Sequence, residues 1–406
     1  MRFEADFSGP RTVLRALFES GDRHTGRSEE GTGTPITYSG EVIEFDYLPD
    51  EIHPDLLGLL LLTIYYPFVG EQAVFPAPVS PRLEAAFQNS CFDRQIRFGN
   101  VDPSLEPYTG SRLALAFGGG TDSAAVLAMF PEAFVVHEAH VRAGRVMPSF
   151  THRVVREMGS DRARVVLSNQ RHVSRPEGWH SWPCAFATTL LMATDHDFGM
   201  ILMGSGLEAT LLRTGTGYYD RFEARGWHGF TGNYWQSAFN AVGLPVFSPV
   251  CGASAFATSR LSLPLIRSGR VFSCALDHGA PCMRCSKCLR KDLTRAAVDP
   301  THTVRWEAYD HPVIHQHLDR DPLPEGHVFS YSRRAVSGLP DFITNRVADL
   351  PEIESQWPLR SHPKTFEFCD PRWRPMIRER VLEHLEEMRP ADIAEMQRWD
   401  SARCRT

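Results

Sequence analysis

Residues 113–126 read LALAFGGGTDSAAV. An apolar run of strand length breaks into three glycines, passes through Thr121, Asp122 and Ser123, and resumes as an apolar stretch compatible with a helix. Glycines permit positive φ and let the backbone approach a ligand with no Cβ in the way. A helix opening directly afterwards presents free N–H groups and the positive end of its dipole, which favour an anion. Thr121 and Ser123 add hydroxyl donors, and Asp122 can hold Mg²⁺ or cap the helix. Two readings follow, a phosphate-binding loop or a plain strand-to-helix glycine turn. A Walker loop is excluded because no Gly-Lys-Ser/Thr follows, and the glycine spacing excludes the dinucleotide fingerprint.

From about residue 110 the chain alternates between strand and helix patterns. Strand RLALAF (112–117) is followed by AFVVHEAHV (133–141), ARVVLSN (163–169) and GMILMGS (199–205), with helix patterns AAVLAMF, SFTHRVVREMG and CAFATTLLMATDHD between them. A helix and a fifth strand follow within WQSAFNAVGLPVFSPV (235–250). This alternation predicts βαβ units and an α/β fold with a parallel, doubly wound sheet. Such sheets bind ligands at the carboxyl ends of their strands, near the point where strand order reverses, and the first strand of the series ends at Gly118, which puts the glycine loop at such an end.

The chain has 406 residues, enough for two or three packed units, and three segments are expected. Residues 1–108 read as an α+β region, 109–298 as the α/β unit, and 299–406 as a helical extension ending in the amphipathic stretch RPMIRERVLEHLEEM (374–388). A hydrophobic fraction of 42% with 23% charged residues is that of a soluble globular protein. The net charge of −6 argues against a chain-wide nucleic-acid footprint. The first residues, MRFEADFSGPRT, lack a signal-peptide core, so a cytoplasmic location is expected. The longest apolar run, LLGLLLLTIYYPFV (56–69), is too short for a membrane span and predicts a buried helix.

Four of the nine cysteines crowd into CALDHGAPCMRCSKCLRKD (274–292). Cys282, Cys285 and Cys288 form two overlapping C-x-x-C steps, and Cys274 can loop back to complete a four-thiolate shell around Zn²⁺. A closed shell leaves no open position for water, so the ion is expected to be structural.

The order Gly119-Gly120-x-Asp122-Ser123 resembles the pyrophosphate loop of ATP pyrophosphatases, Ser-Gly-Gly-x-Asp-Ser, with Gly118 in place of the first serine. Together with the cysteine cluster, residues from about 110 to 295 resemble the 7-cyano-7-deazaguanine (preQ0) synthase family, queuosine-pathway enzymes that convert a deazapurine carboxylate to a nitrile. Between the two motifs, ILMGSGLEATLL and the segment from Gly217 to Val250 are similar in order and character to that family's fourth strand, substrate segment and fifth strand. The family's lysine after the fifth strand is absent from CGASAFATSRL (251–261), where Arg260 is the only cation nearby.

The resemblance implies a cytoplasmic C–N ligase that uses ATP and Mg²⁺ to adenylate a small-molecule carboxylate, with ammonia as nitrogen source. Nucleotide contacts are expected from Phe117, Gly118, Gly119, Gly120, Thr121, Asp122, Ser123, His137 and Gly204, with Asp122, Ser123 and Arg260 assisting catalysis. Glu208, Arg213, Tyr219, Asp220 and Arg221 are candidates for the substrate, and His140 for adenine. The terminal regions suit a protein partner, and a homodimer is open. Three alternatives stand: a sulfur transferase using Cys184, deazapurine modification of a protein, and a nucleotide-binding scaffold without turnover. Cys184 also reads as one residue of an apolar helix face.

Overall fold

A computed structural model describes residues 1–28, 34–88, 95–142, 144–147, 149–178, 182–219, 234–271, 273–274 and 281–404. Eight strands build the main sheet: β1 (Arg2–Asp6), β2 (Thr12–Leu17), β3 (Ile43–Phe45), β4 (Arg112–Ala116), β5 (Phe134–Arg142), β6 (Ala163–Ser168), β7 (Phe198–Met203) and β8 (Val246–Phe247). Their spatial order is β1-β2-β3-β6-β5-β4-β7-β8, and a short strand at Arg145–Val146 folds back on β5. The five strands β6 to β8 in that order run parallel, so the expected α/β class is observed with a Rossmann-like arrangement.

The sheet is mixed, however. β1, β2 and β3 come from residues 1–108 and continue it antiparallel, with Phe45 of β3 opposite Ser168 of β6. Their contribution is faint in the sequence because β1 and β2 each bury residues on one face only, leaving short alternating patterns such as RFEAD.

Both faces of the sheet are covered. Ala114, Phe134, Val136 and Ile201 point to one side, where they share a core with α1 (Pro54–Tyr65), α4 (Ala187–Met192) and α5 (Tyr234–Ala241). Leu113, Leu115, Val135 and Leu202 point to the other, toward α2 (Thr121–Met129), α3 (Phe150–Glu157) and α6 (Ala255–Leu261). The alternation along β4 and β5 follows from the period of two in a strand. Helix α1 is buried from Asp55 through Tyr65, as its all-round apolar sequence requires. Among the described residues no helix is long and apolar enough to cross a membrane.

Residues 299–404 hold more order than their weak patterning suggests. The helix α7 (Ser286–Val298) packs against α8 (Gly326–Ala335), and α9 (Arg374–His384) lays Ile377 and Val381 into the core that α2 shares. Trp357, fully buried, anchors a third cluster with Leu293, Tyr309 and Trp399.

Candidate functional site

Strands β4 and β7 lie side by side although β5 and β6 separate them in sequence, which marks the point where strand order reverses. A cleft of about 770 Å³ opens there at the carboxyl ends of the strands, lined by Phe117, Gly118, Gly120, Thr121, Asp122, Ser123, His137 and Gly204. The backbone turns sharply at Gly119, whose φ of +72° suits glycine and where a Cβ would sit 2.0 Å from Thr151 Oγ1. Gly204, at the end of β7, lies against the loop, and a Cβ there would sit 2.2 Å from the Ser123 backbone nitrogen. Gly118 is the opposite case, exposed and with nothing within 4 Å of a built Cβ. Helix α2 then opens with Gly120 as its cap residue and Asp122 in its first turn.

Asp122 is held from two directions. Thr258 of α6 donates its hydroxyl to Oδ1 at 2.7 Å, and Lys291 Nζ stands 3.7 Å from the same oxygen. Lys287 and Lys291 are both on α7, four residues apart and therefore on one face, and both line the cleft. Burial, with Lys291 next to it, pushes the Lys287 ammonium below its ordinary pKa. Two of the cleft's cations thus come from α7, and Lys291 stands beside Asp122 in the first turn of α2.

The side wall is formed by β5. His137 Nδ1 lies 2.8 Å from the Phe117 carbonyl, and burial holds its pKa down to about 4 against that bond. At neutral pH the ring is therefore uncharged, with Nδ1–H as the donor. Beside it, burial pushes the Glu138 carboxyl up to about 8 despite Arg171 and the amide of Gln170. A protonated Glu138 can donate a hydrogen bond to a bound heteroatom.

The four cysteines converge. Sγ atoms of Cys274, Cys282, Cys285 and Cys288 lie within 4.8 Å of one another and can hold a tetrahedral ion such as zinc. Backbone N–H groups of Arg284 and Cys288 donate to the sulfurs of Cys282 and Cys285, each at 3.4 Å, as they do around bound thiolates. Cys285 also caps α7, so the cluster fixes the start of the helix that carries both lysines. Ser273, next to Cys274, reaches the loop, its Oγ accepting from Thr121 N at 3.4 Å.

Other predicted residues lie elsewhere. Glu208 is not on the cleft wall; it accepts from Ala255 N at 2.8 Å at the start of α6 and pairs with His327 Nε2 at 2.8 Å. Burial raises its pKa, but the His327 pairing and the Ala255 bond outweigh this and the net shift is downward. Arg213 is exposed on a two-residue strand, and Tyr219 N bonds the Leu211 carbonyl. Neither lines the cleft. Arg260 points away from it, its Nη2 donating to the Leu359 carbonyl at 2.9 Å. Asp220 and Arg221 lie outside the described residues. Cys184 is buried, with Sγ 2.9 Å from the Thr63 carbonyl of α1, while its neighbours Ala185 and Phe186 line the cleft.

Lys287 and Lys291 are not among the candidates drawn from the sequence. The signal that finds them is the i, i+4 spacing on a helix that begins inside the knuckle. Glu138 and Arg171 have no such signal, since each depends on strands pairing across the sheet.

A family model described as "Family of unknown function (DUF6395)" matches residues 234–400, which include the cysteine cluster and both lysines but not the glycine loop. No curated protein matches the chain, and no solved structure matches it.

Proposed function

We propose that the protein is an ATP-dependent ligase that adenylates a carboxylate, releases pyrophosphate and AMP, and forms an amide or nitrile. One observation carries this reading: the loop Gly118–Ser123 forms part of the cleft wall at the strand-order switch, with Lys287 and Lys291 on the same wall. A carboxylate oxygen attacks the α-phosphorus of ATP and pyrophosphate leaves. Ammonia then attacks the acyl carbon, AMP departs, and a proton is lost to give the amide. A second adenylation on the amide oxygen, followed by loss of AMP and both amide protons, gives the nitrile.

The chain's own residues divide this work. Backbone N–H groups of the loop and the Ser123 hydroxyl meet the charge gathering on pyrophosphate, a preorganised electrostatic role. Lys287 and Lys291 neutralise phosphate oxygens. Asp122 is the residue that would hold Mg²⁺, which would supply neutralisation of phosphate charge. His137, neutral and facing the cleft, suits an adenine edge. The cysteine-bound zinc is architectural in this scheme. Resemblance to the 7-cyano-7-deazaguanine synthases points to a deazapurine carboxylate as the acceptor.

The test is pyrophosphate and AMP release by the full chain with ATP, Mg²⁺, ammonium and a deazapurine carboxylate. Acceptor-dependent release is expected, falling on the order of 100-fold in Asp122→Ala and at least about 10-fold in Lys291→Ala. Parental turnover by Asp122→Ala would overturn the reading. ATP binding without pyrophosphate release, whatever the carboxylate, would favour a nucleotide-binding scaffold.

A further inference from the structure

We propose that His140, His172 and Glu177 form a binding site for a divalent first-row metal ion on the wall of the same cleft, separate from the cysteine cluster. One ligand atom from each lies within 4.8 Å of the others, and His172 Nε2 is 3.8 Å from Glu177 Oε2. Three ligands on an ion at about 2.0–2.2 Å are spaced somewhat closer, so small side-chain rotations complete the set.

The hydrogen bonding of the two histidines makes the case. His140 Nδ1 and His172 Nε2 are both buried with no hydrogen-bond partner. Orphaned buried nitrogens are rare and call for a ligand. The other nitrogen of His172 is engaged, its Nδ1 pairing with Glu41 Oε2 at 3.1 Å. This is the outer-shell pattern of metal-bound histidine, in which a carboxylate or carbonyl fixes the tautomer and turns the opposite lone pair toward the ion. Glu41 is itself held by Arg175, and Glu177 Oε2 is ion-paired with Arg142 Nε at 3.1 Å. The ionised carboxylate has lone pairs left for an ion.

The fold explains the convergence. Parallel pairing of β5 and β6 sets Ser168 opposite His140. The turn Gln170–Val173 that follows β6 carries His172 back over the end of β5, and Glu177 arrives on the next loop. Two imidazoles and a carboxylate suit Zn²⁺, Co²⁺ or Fe²⁺, whereas Mg²⁺ and Ca²⁺ prefer oxygen-only shells. Three protein ligands leave at least one position open, and His140 and Glu177 both face the cleft. Arg142 and Arg175 already balance Glu41 and Glu177, so a bound ion leaves the site positive and suited to an anion. His140 is three residues beyond His137, about 10 Å along the strand at 3.3 Å per residue. Resting on the proposed function, the open position would take the acceptor's carboxylate or another anionic group.

The probe is Co²⁺ titrated into the full-length protein purified with its cysteine-site ion in place. One further equivalent is expected, with the weak visible bands of nitrogen- and oxygen-ligated cobalt and without the intense thiolate charge-transfer band. Glu177→Gln and His172→Gln should each abolish that equivalent, and Glu41→Gln should weaken it about 10- to 100-fold. Circular dichroism checks folding. Should His172→Gln fail to fold, the partly exposed Glu177 and Glu41 variants still decide. No further equivalent in the parent, or unchanged binding in folded Glu177→Gln, overturns the site. Cobalt binding without pyrophosphate release upholds the site and overturns only the adenylation reading.

Discussion

Gly118 and Gly119 are adjacent, and the structure gives them opposite tolerances. Gly118 is exposed, its φ is not in the left-handed region, and a Cβ meets nothing within 4 Å. Gly119 combines φ +72° with a Cβ position 2.0 Å from Thr151 Oγ1. Gly118→Ser, which restores the hydroxyl of the pyrophosphate-loop pattern, should leave the thermal midpoint unchanged and nucleotide affinity equal or higher. Gly119→Ala should lower stability by about 1–3 kcal/mol in denaturant unfolding, through strain and displacement of α3. A Gly118→Ser protein that unfolds as readily as Gly119→Ala would contradict this account of the turn. At this scale the sequence was readable where chemistry is local. The glycines, Asp122 and Ser123 occupy consecutive positions, so their pattern survives in one dimension. His140, His172 and Glu177 lie far apart in the sequence without motif spacing, and nothing local marks them as neighbours.

At the scale of elements, the knuckle and the cleft are one mechanical unit. Cys285 caps α7, Ser273 touches the loop, and α7 presents Lys287 and Lys291 to Asp122. Cys285→Ser should therefore do two things. Bound zinc, measured by elemental analysis, should fall, and ATP affinity measured by calorimetry should weaken by about tenfold, equivalent to 1.4 kcal/mol, as the start of α7 frays. Loss of zinc with unchanged ATP affinity would mean that the lysines are positioned without the knuckle. The strands and helices of 112–203 were legible because each buries a complete apolar face. Strands β1 and β2 were not, since each is short and buries residues on one face only. Arg260 was a reasonable candidate by nearness in sequence, but α6 turns it toward Leu359.

For the whole molecule, the terminal regions are structural parts of the α/β unit. β1–β3 extend its sheet, and α9 covers the helix that follows the loop. Ile377, Val381 and Leu385 are buried there, each worth roughly 1.5–3 kcal/mol. Their sum is comparable to the whole stability of a typical domain, about 5–15 kcal/mol. A chain ending at residue 373 should therefore lose cooperative thermal unfolding and precipitate. A soluble, cooperatively melting truncation would show that the inner unit stands alone.

What the sequence determined by itself was the set of features written in adjacent residues: the glycine loop, the C-x-x-C knuckle and the alternating strands and helices that define the α/β class. Tertiary structure alone decided which residues share the cleft. It placed Lys287 and Lys291 there instead of Arg260, set Glu208 under α6 and paired it with His327, and turned Cys184 toward α1. The reason is physical. A local pattern is fixed by bond rotation and side-chain period, whereas a site is an intersection of elements whose contacts depend on sheet order, and sheet order leaves no mark in any single stretch of chain.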